Sequence, residues 1–265
     1  MEFEGGITMI KEEIAQLTKQ QSTGNISYVI EHGDEVIAHQ EDQIHRSASV
    51  IKIPLCLAAL KKAHDVGRDD LLLVKKKVGG SGVLYSLNDV EVLPVKDTVV
   101  LAMIVSDNTA SNMLMDYVGF DQLAATFKEW GIKDSALERH FMDMSGDTSR
   151  MYNVATAEDM MTALKLVYEE NEFIPEAVRL DMQKHMRESQ FNDRVGGALN
   201  DGGDESHITV SNKTGTIDNL EHDIGVLQSK DQTVKFSVLS SDWNSNLEAR
   251  YFLNDLGRIL LKYFV

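Results

Sequence analysis

The chain has 265 residues, 43% of them hydrophobic, enough to bury a sizeable core in one large domain or two packed lobes. With 26% charged residues and only 3 prolines, it is neither collagen-like, Pro-rich nor of low complexity. Its 26 basic and 42 acidic side chains leave a formal net charge of −16, which repels nucleic acid and anionic membrane faces, so neither is an expected partner.

The opening residues, Met1 to Gln16, are acidic where a secretory peptide needs a basic start, so the chain as written is expected in the cytoplasm. A mature exported form that had lost its leader would look the same. Ile10, Ile14 and Leu17 then recur at helical spacing, predicting an amphipathic helix over 9–21. Ile26 to Glu31 and Glu35 to His39 flank Gly33-Asp34, the pattern of a tight β-hairpin. From Ser49 to about Gly196 the three-and-four spacing of apolar residues predicts helices over 51–63, 95–105, 110–118, 120–130, 157–169 and 174–186. After the polar turn at 200–204, β-formers cluster at 208–212, 223–227 and 234–240, and a last helix is expected from about Asn246 to Tyr263. The expected class is therefore α/β of the α+β kind. An antiparallel sheet built from both chain ends is flanked by the terminal helices, and an all-helical lobe is inserted between its halves. In residue terms, 1–44 with 206–265 make the α/β lobe, 45–205 the helical lobe, and the active site lies in the cleft between them.

Three short polar motifs punctuate this pattern. Ser49 and Lys52 stand three positions apart where an apolar helical run begins, a spacing that brings a basic nitrogen to a hydroxyl. A hydroxyl needs such a neighbour to lose its proton before attacking a carbonyl. Alone, Ser-x-x-Lys is common in helices, with the serine as cap and the lysine in solvent. Ser106-Asp107-Asn108 follows in a tight connection between two predicted helices, and Lys213-Thr214-Gly215-Thr216 at the end of a predicted strand. Lys213 brings a second cation, Gly215 permits close approach to the strand, and the two threonines offer hydrogen bonds.

In this order the three motifs resemble the signature of class A β-lactamases and penicillin-binding proteins. The resemblance extends from about Ile26 to the C-terminus and takes in 80–84 and 107–112. It implies Ser49 as nucleophile, Lys52 as its proton acceptor and Ser106 as a shuttle to the leaving nitrogen. Asn108 would contact a substrate amide, Lys213 and Thr214 the substrate carboxylate, and the N–H groups of Ser49 and Thr216, with Gly215 between, the oxyanion. The implied substrate is a small molecule, a β-lactam or related amide or ester, attacked without metal or other cofactor. One departure stands out: the segment matching the glutamate loop of class A enzymes reads Leu137-Glu138-Arg139-His140-Phe141-Met142-Asp143. Phe141 falls where the deacylating base belongs, Glu138 matches the acidic residue that braces the loop, and Asp143 is the nearest candidate base. The rival readings are a D,D-peptidase or esterase on the same scaffold, and a sensor that is acylated without turnover.

Elsewhere the signals are weaker. Glu221-His222-Asp223 reads chiefly as a solvated polar turn, with a lesser case for His222 or Asp223 lining the cleft. Cys56, on the apolar face beyond Lys52, reads as a buried small hydrophobe, and 79–83 as a loop at the cleft edge. The single cysteine and the histidine spacing give no zinc pattern.

Overall fold

The computed structural model describes residues 2–143, 152–201 and 208–264. Helix α1 (Glu2–Lys19) leads into the hairpin β1 (Asn25–His32) and β2 (Glu35–His39), whose two-residue turn carries Gly33 at φ +58°. The chain returns to this sheet only at its end, with β7 (Thr209–Ile217), β8 (Leu220–Gln228) and β9 (Thr233–Ser241), followed by α8 (Asn246–Phe264). The strand order is β2-β1-β9-β8-β7, and every neighbouring pair is antiparallel. Both faces of the central sheet are covered, so β1, β8 and β9 are buried on both sides. Ile26, Tyr28 and Ile30 of β1 and Phe236 and Val238 of β9 pack with Ile10 and Ile14 of α1 and Phe252, Leu253 and Leu256 of α8. The alternate residues Val29, Ile224, Val226 and Leu239 join the core of the helices on the other side.

Between the two halves of the sheet lie α2 (Lys52–Val66), α3 (Val95–Ile104), α4 (Asn108–Val118), α5 (Phe120–Glu129), α6 (Ala157–Tyr168) and α7 (Glu176–Arg187). Helix α2 is buried without interruption from Lys52 to Leu60 and packs against α3, α4, α6 and α7. A helix apolar around its whole circumference belongs at the centre of a lobe. Pro54 is accommodated in its first turn, where an N–H has no helical partner to lose, and Gly67 closes it at φ +73°. Cys56 is fully buried, as its apolar surroundings require.

The expected antiparallel sheet with terminal helices and inserted helical lobe is the architecture observed. Two features differ from the sequence expectation. Two-stranded ribbons join β3 (His45–Arg46) to β6 (Val154–Ala155) and β4 (Leu71–Leu73) to β5 (Val92–Pro94); strands this short leave no periodic pattern. Also, β8 begins at Leu220, so Glu221-His222-Asp223 is fully buried strand and not a solvated turn. Each of these polar side chains has a buried partner that makes this tolerable.

Buried histidines make the fold acid-sensitive, His45 and His222 most strongly. His222 Nδ1 accepts from Ser240 N at 3.0 Å and its Nε2 donates to Arg46 O at 2.8 Å, a pattern only the neutral ring satisfies. His45 sits between Ser27 Oγ at 2.9 Å and Ser241 Oγ at 3.1 Å. Burial pushes His222 down to about 3 and His45 to about 4. Both folded values lie below that of an unfolded histidine, about 6.5, so the unfolded chain takes up protons first. Their stabilisation is therefore complete above that value and is lost as pH falls towards 4. We expect the melting temperature to drop between pH 6.5 and 4, and to drop less in His222→Gln. Parallel melting curves for the two proteins over that range would refute this.

Candidate active site

Ser49 lies in the turn that enters α2, where Val50 N donates to Ser47 O and Lys52 N to Ser49 O, both at 3.2 Å. The serine is thus one tight turn ahead of the helix. Ala48 holds this kink at φ +44°, and Ser106 adopts φ +55° across the cleft. Such left-handed conformations cost non-glycine residues about 1–3 kcal/mol each and concentrate at functional sites. Among the described residues neither Ser49 Oγ nor Ser49 N makes a hydrogen bond, so hydroxyl and N–H both remain available.

Behind Ser49 two lysines are completely buried. Lys52 Nζ donates to Ser106 O at 2.7 Å and to Asn108 Oδ1 at 2.9 Å, and lies 3.1 Å from Ser106 Oγ. Lys213 Nζ reaches the same hydroxyl at 3.1 Å and Thr214 O at 2.9 Å. Burial first, and then the nearby charge of Lys213, hold Lys52 well below the ordinary lysine range. Burial likewise brings Lys213 down to about 7, with Arg194 acting in the same direction. A neutral Lys52 amine has a lone pair to accept the Ser49 proton, and Ser106 Oγ bridges it to the second lysine. Among the described residues Lys52 Nζ makes no hydrogen bond to Ser49.

The walls of this cluster come from separate elements. Asp107 accepts from Val83 N and Leu84 N at 2.7 Å and caps α4 through Ala110 N at 3.0 Å. It thereby draws the 79–84 loop to the cleft, and Gly82 is required there: at φ +93°, a Cβ would lie 2.3 Å from Asp107 Cα. Asn108, expected to contact substrate, lines the cleft but spends its amide on Lys52 and on Gly79 O at 3.0 Å. The Phe141 ring centroid stands 4.5 Å from Lys52 Nζ. Its backbone is gripped by Asn112, whose Oδ1 accepts from Phe141 N at 2.8 Å and whose Nδ2 donates to Phe141 O at 3.0 Å. Asp143 is placed elsewhere, in the lining of a cavity of about 70 Å³ with Lys75, Asp116 and His140. Glu138 N and Arg139 N are fixed by Asn153 Oδ1 at 2.8 and 3.1 Å.

The opposite wall is β7, an edge strand whose alternate N–H groups have no neighbouring strand. A Cβ on Gly215 would stand 3.2 Å from Ser49 N, so the glycine lets this edge close on the serine, next to Thr216. Thr214 and Thr216 line a cleft of about 620 Å³ with Ser49, Ser106, Phe141 and Met142. Lys213 lies behind that wall, and the cations that line the cleft are Arg194 and Arg250. Buried Glu221 holds both: Oε2 accepts from Arg194 Nη2 at 3.0 Å and from Thr216 Oγ1 at 2.7 Å, and Oε1 from Arg250 Nε at 3.0 Å. Sequence reasoning missed both arginines. The available signal was Glu221 and Asp223 two apart within a run of β-formers, which puts two acids on one strand face in need of partners. His222 points to the opposite side, bonded to Arg46 O and away from the cleft. Asp223, pushed up to about 7 by burial, binds Asn212 and Val195 N behind the cleft rim.

Residues 9–264 match the sequence pattern of the Beta-lactamase enzyme family. No match was found among curated proteins. Of the solved structures, the beta-lactamase of Sphaerobacter thermophilus DSM 20745 is similar at 26% identity and TM-score 0.83, over 97% of this chain and 96% of that one. PBP-A shares the fold at 23% identity and TM-score 0.83, over 96% and 95% of the two chains. A class A beta-lactamase representative from Bacteroides cellulosilyticus DSM 14838 does so at 21% identity and TM-score 0.82, over 96% of each. With a serine and a bridging hydroxyl lining the cleft and two buried lysines meeting that hydroxyl behind it, the chain belongs to the beta-lactamase enzyme family and is a serine hydrolase of that type.

Proposed function

We propose that the enzyme is acylated at Ser49 by a β-lactam or related amide and releases the acyl group to water slowly. The observation that carries this is the Phe141 ring over Lys52 Nζ at 4.5 Å. A phenyl group there shields the amine from water, while burial and the charge of Lys213 are what lower its proton affinity. The ring cannot take a proton from the water that must attack the acyl-enzyme. A D,D-peptidase or esterase on the same scaffold is the second reading, supported by the same ring. One similar structure is a PBP-A mutant in acyl-enzyme complex with penicillin G, so a related scaffold retains such an intermediate. In the chemistry proposed, Lys52 takes the Ser49 proton as Oγ attacks the carbonyl, and N–H groups of Ser49 and the β7 edge stabilise the oxyanion. Ser106 then passes a proton to the departing nitrogen. Arg250 and Arg194 hold a substrate carboxylate at the far end of the cleft.

Intact-mass spectrometry after exposure to benzylpenicillin should show one adduct in the wild type and none in Ser49→Ala. An adduct on Ser49→Ala would remove Ser49 as nucleophile. Chromogenic cephalosporin turnover should show a burst near one equivalent and then a slow rate, because general-base help worth about 10²–10⁴-fold is missing. Asp143→Asn should leave that slow rate unchanged; if it alone stalls while wild type turns over without a burst, Asp143 is the base. Arg250→Ala should weaken apparent affinity for a carboxylate-bearing substrate by about tenfold, as for one charged hydrogen bond, and leave a neutral short-chain ester nearly unaffected. Equal losses on both would show that Arg250 acts by holding the site together.

A further inference from the structure

Four residues that line the cleft, Gln190, Phe191, Asp193 and Arg194, come from one segment between α7 and the short helical turn at Val195–Asp201. The stretch 190–193 has no helix or strand of its own. Its backbone is held instead by distant groups: Gln190 N donates to Ile104 O at 3.0 Å, and Asn254 Nδ2 donates to Asp193 O at 2.9 Å and Arg194 O at 3.0 Å. Two further ties converge on one buried carboxyl of β8. Asp223 Oδ2 accepts from Val195 N at 3.0 Å, and Oδ1 accepts from Asn212 Nδ2 at 2.8 Å. That same Nδ2 donates its other hydrogen to Phe191 O at 3.1 Å.

The arrangement is costly in a way packing alone does not explain. Asn212 is completely buried, yet among the described residues its Oδ1 has no hydrogen-bond partner, and an unpaired buried acceptor is destabilising. Its two N–H groups are aimed at the rim and at Asp223, so the residue acts as a donor between them. Asp223 thereby pins both ends of the rim, 191 through Asn212 and 195 directly. Arg194 sits between these two ties with its guanidinium on Thr216 Oγ1 at 2.8 Å and on Glu221.

We propose that Asp223, acting through Asn212 and Val195, is a positioning residue that fixes the 190–194 rim of the cleft for substrate binding. This rests on the acylation of Ser49 proposed above. Asp223 touches no reacting atom. Its loss should weaken binding of the substrate end held by Arg194 and leave the chemical step at Ser49 intact. An asparagine at 223 has one oxygen for two donors, so one tie must break.

The test has two arms. In pre-steady-state acylation by benzylpenicillin, Asp223→Asn should raise the concentration for half-maximal rate about tenfold with the limiting rate little changed. Acylation by a neutral short-chain ester should be unaffected. Asn212→Ala, which frees Phe191 O alone, should shift the same quantity in the same direction and serves if Asp223→Asn folds poorly. Hydrogen exchange measures the clamp without any chemistry: amides 190–195 should lose protection in both variants while those of α2 and β9 keep theirs. Unchanged exchange over 190–195 in both variants would overturn the inference even if penicillin acylates the enzyme. Equal losses on penicillin and ester, or a fall in limiting rate alone, would overturn it too. Absence of a wild-type adduct with altered rim exchange would instead sink the acylation reading and leave the clamp standing.

Discussion

Two lysine nitrogens meet one serine hydroxyl inside this protein, and the rest of the site depends on that meeting. Lys52 and Lys213 each approach Ser106 Oγ to 3.1 Å with no exposure to solvent. Two ammonium groups cannot share such a space cheaply, so burial and mutual repulsion drive at least one to the neutral amine. Neutrality turns a buried lysine into a base. The cost is met by the surrounding architecture: α2, buried along its length, holds Lys52, while β7, one strand in from nothing on its cleft side, carries Lys213.

Acylation and hydrolysis make different demands, and in the reaction proposed for Ser49 they are met unequally. The attacking hydroxyl, the amine, the bridging hydroxyl and the strand edge are all assembled. The position over Lys52 that faces the cleft is filled by a phenyl ring, with its main chain gripped on both sides by the Asn112 amide. Two backbone hydrogen bonds to one side chain fix Phe141 as firmly as a strand pairing would, so the ring is a built part of the site.

The far wall is organised by buried acids. Glu221 satisfies two arginines and a threonine, and a carboxylate so placed would cost about 3–5 kcal/mol if stripped of its partners. Glu221 and Asp223 alternate with His222 and Ile224 along β8, so one strand presents acids to the cleft rim and apolar and imidazole groups to the helices. The same alternation explains the acid sensitivity expected of His222, whose two nitrogens are committed to main-chain partners.

Periodicity and turn chemistry are local, and they determined much by themselves. The hairpin at Gly33-Asp34, the apolar run of α2 with Pro54 in its first turn, and the three polar motifs in order are each visible within a dozen residues. Those motifs also named the serine and both lysines that the fold brings together at the cleft, because they sit beside the signals that shape the backbone. What the tertiary structure decided is everything that depends on distance in the chain. Glu221-His222-Asp223 looks like a turn until Arg46, Ser240, Arg194 and Asn212 arrive to satisfy it in a strand. Arg194 and Arg250 carry no local mark; they become cleft residues only because Glu221 holds them there. Phe141 over Lys52 follows from Asn112, on another element. Hydrogen-bond partners of buried polar groups are chosen in three dimensions, and no spacing rule along one strand or helix encodes them.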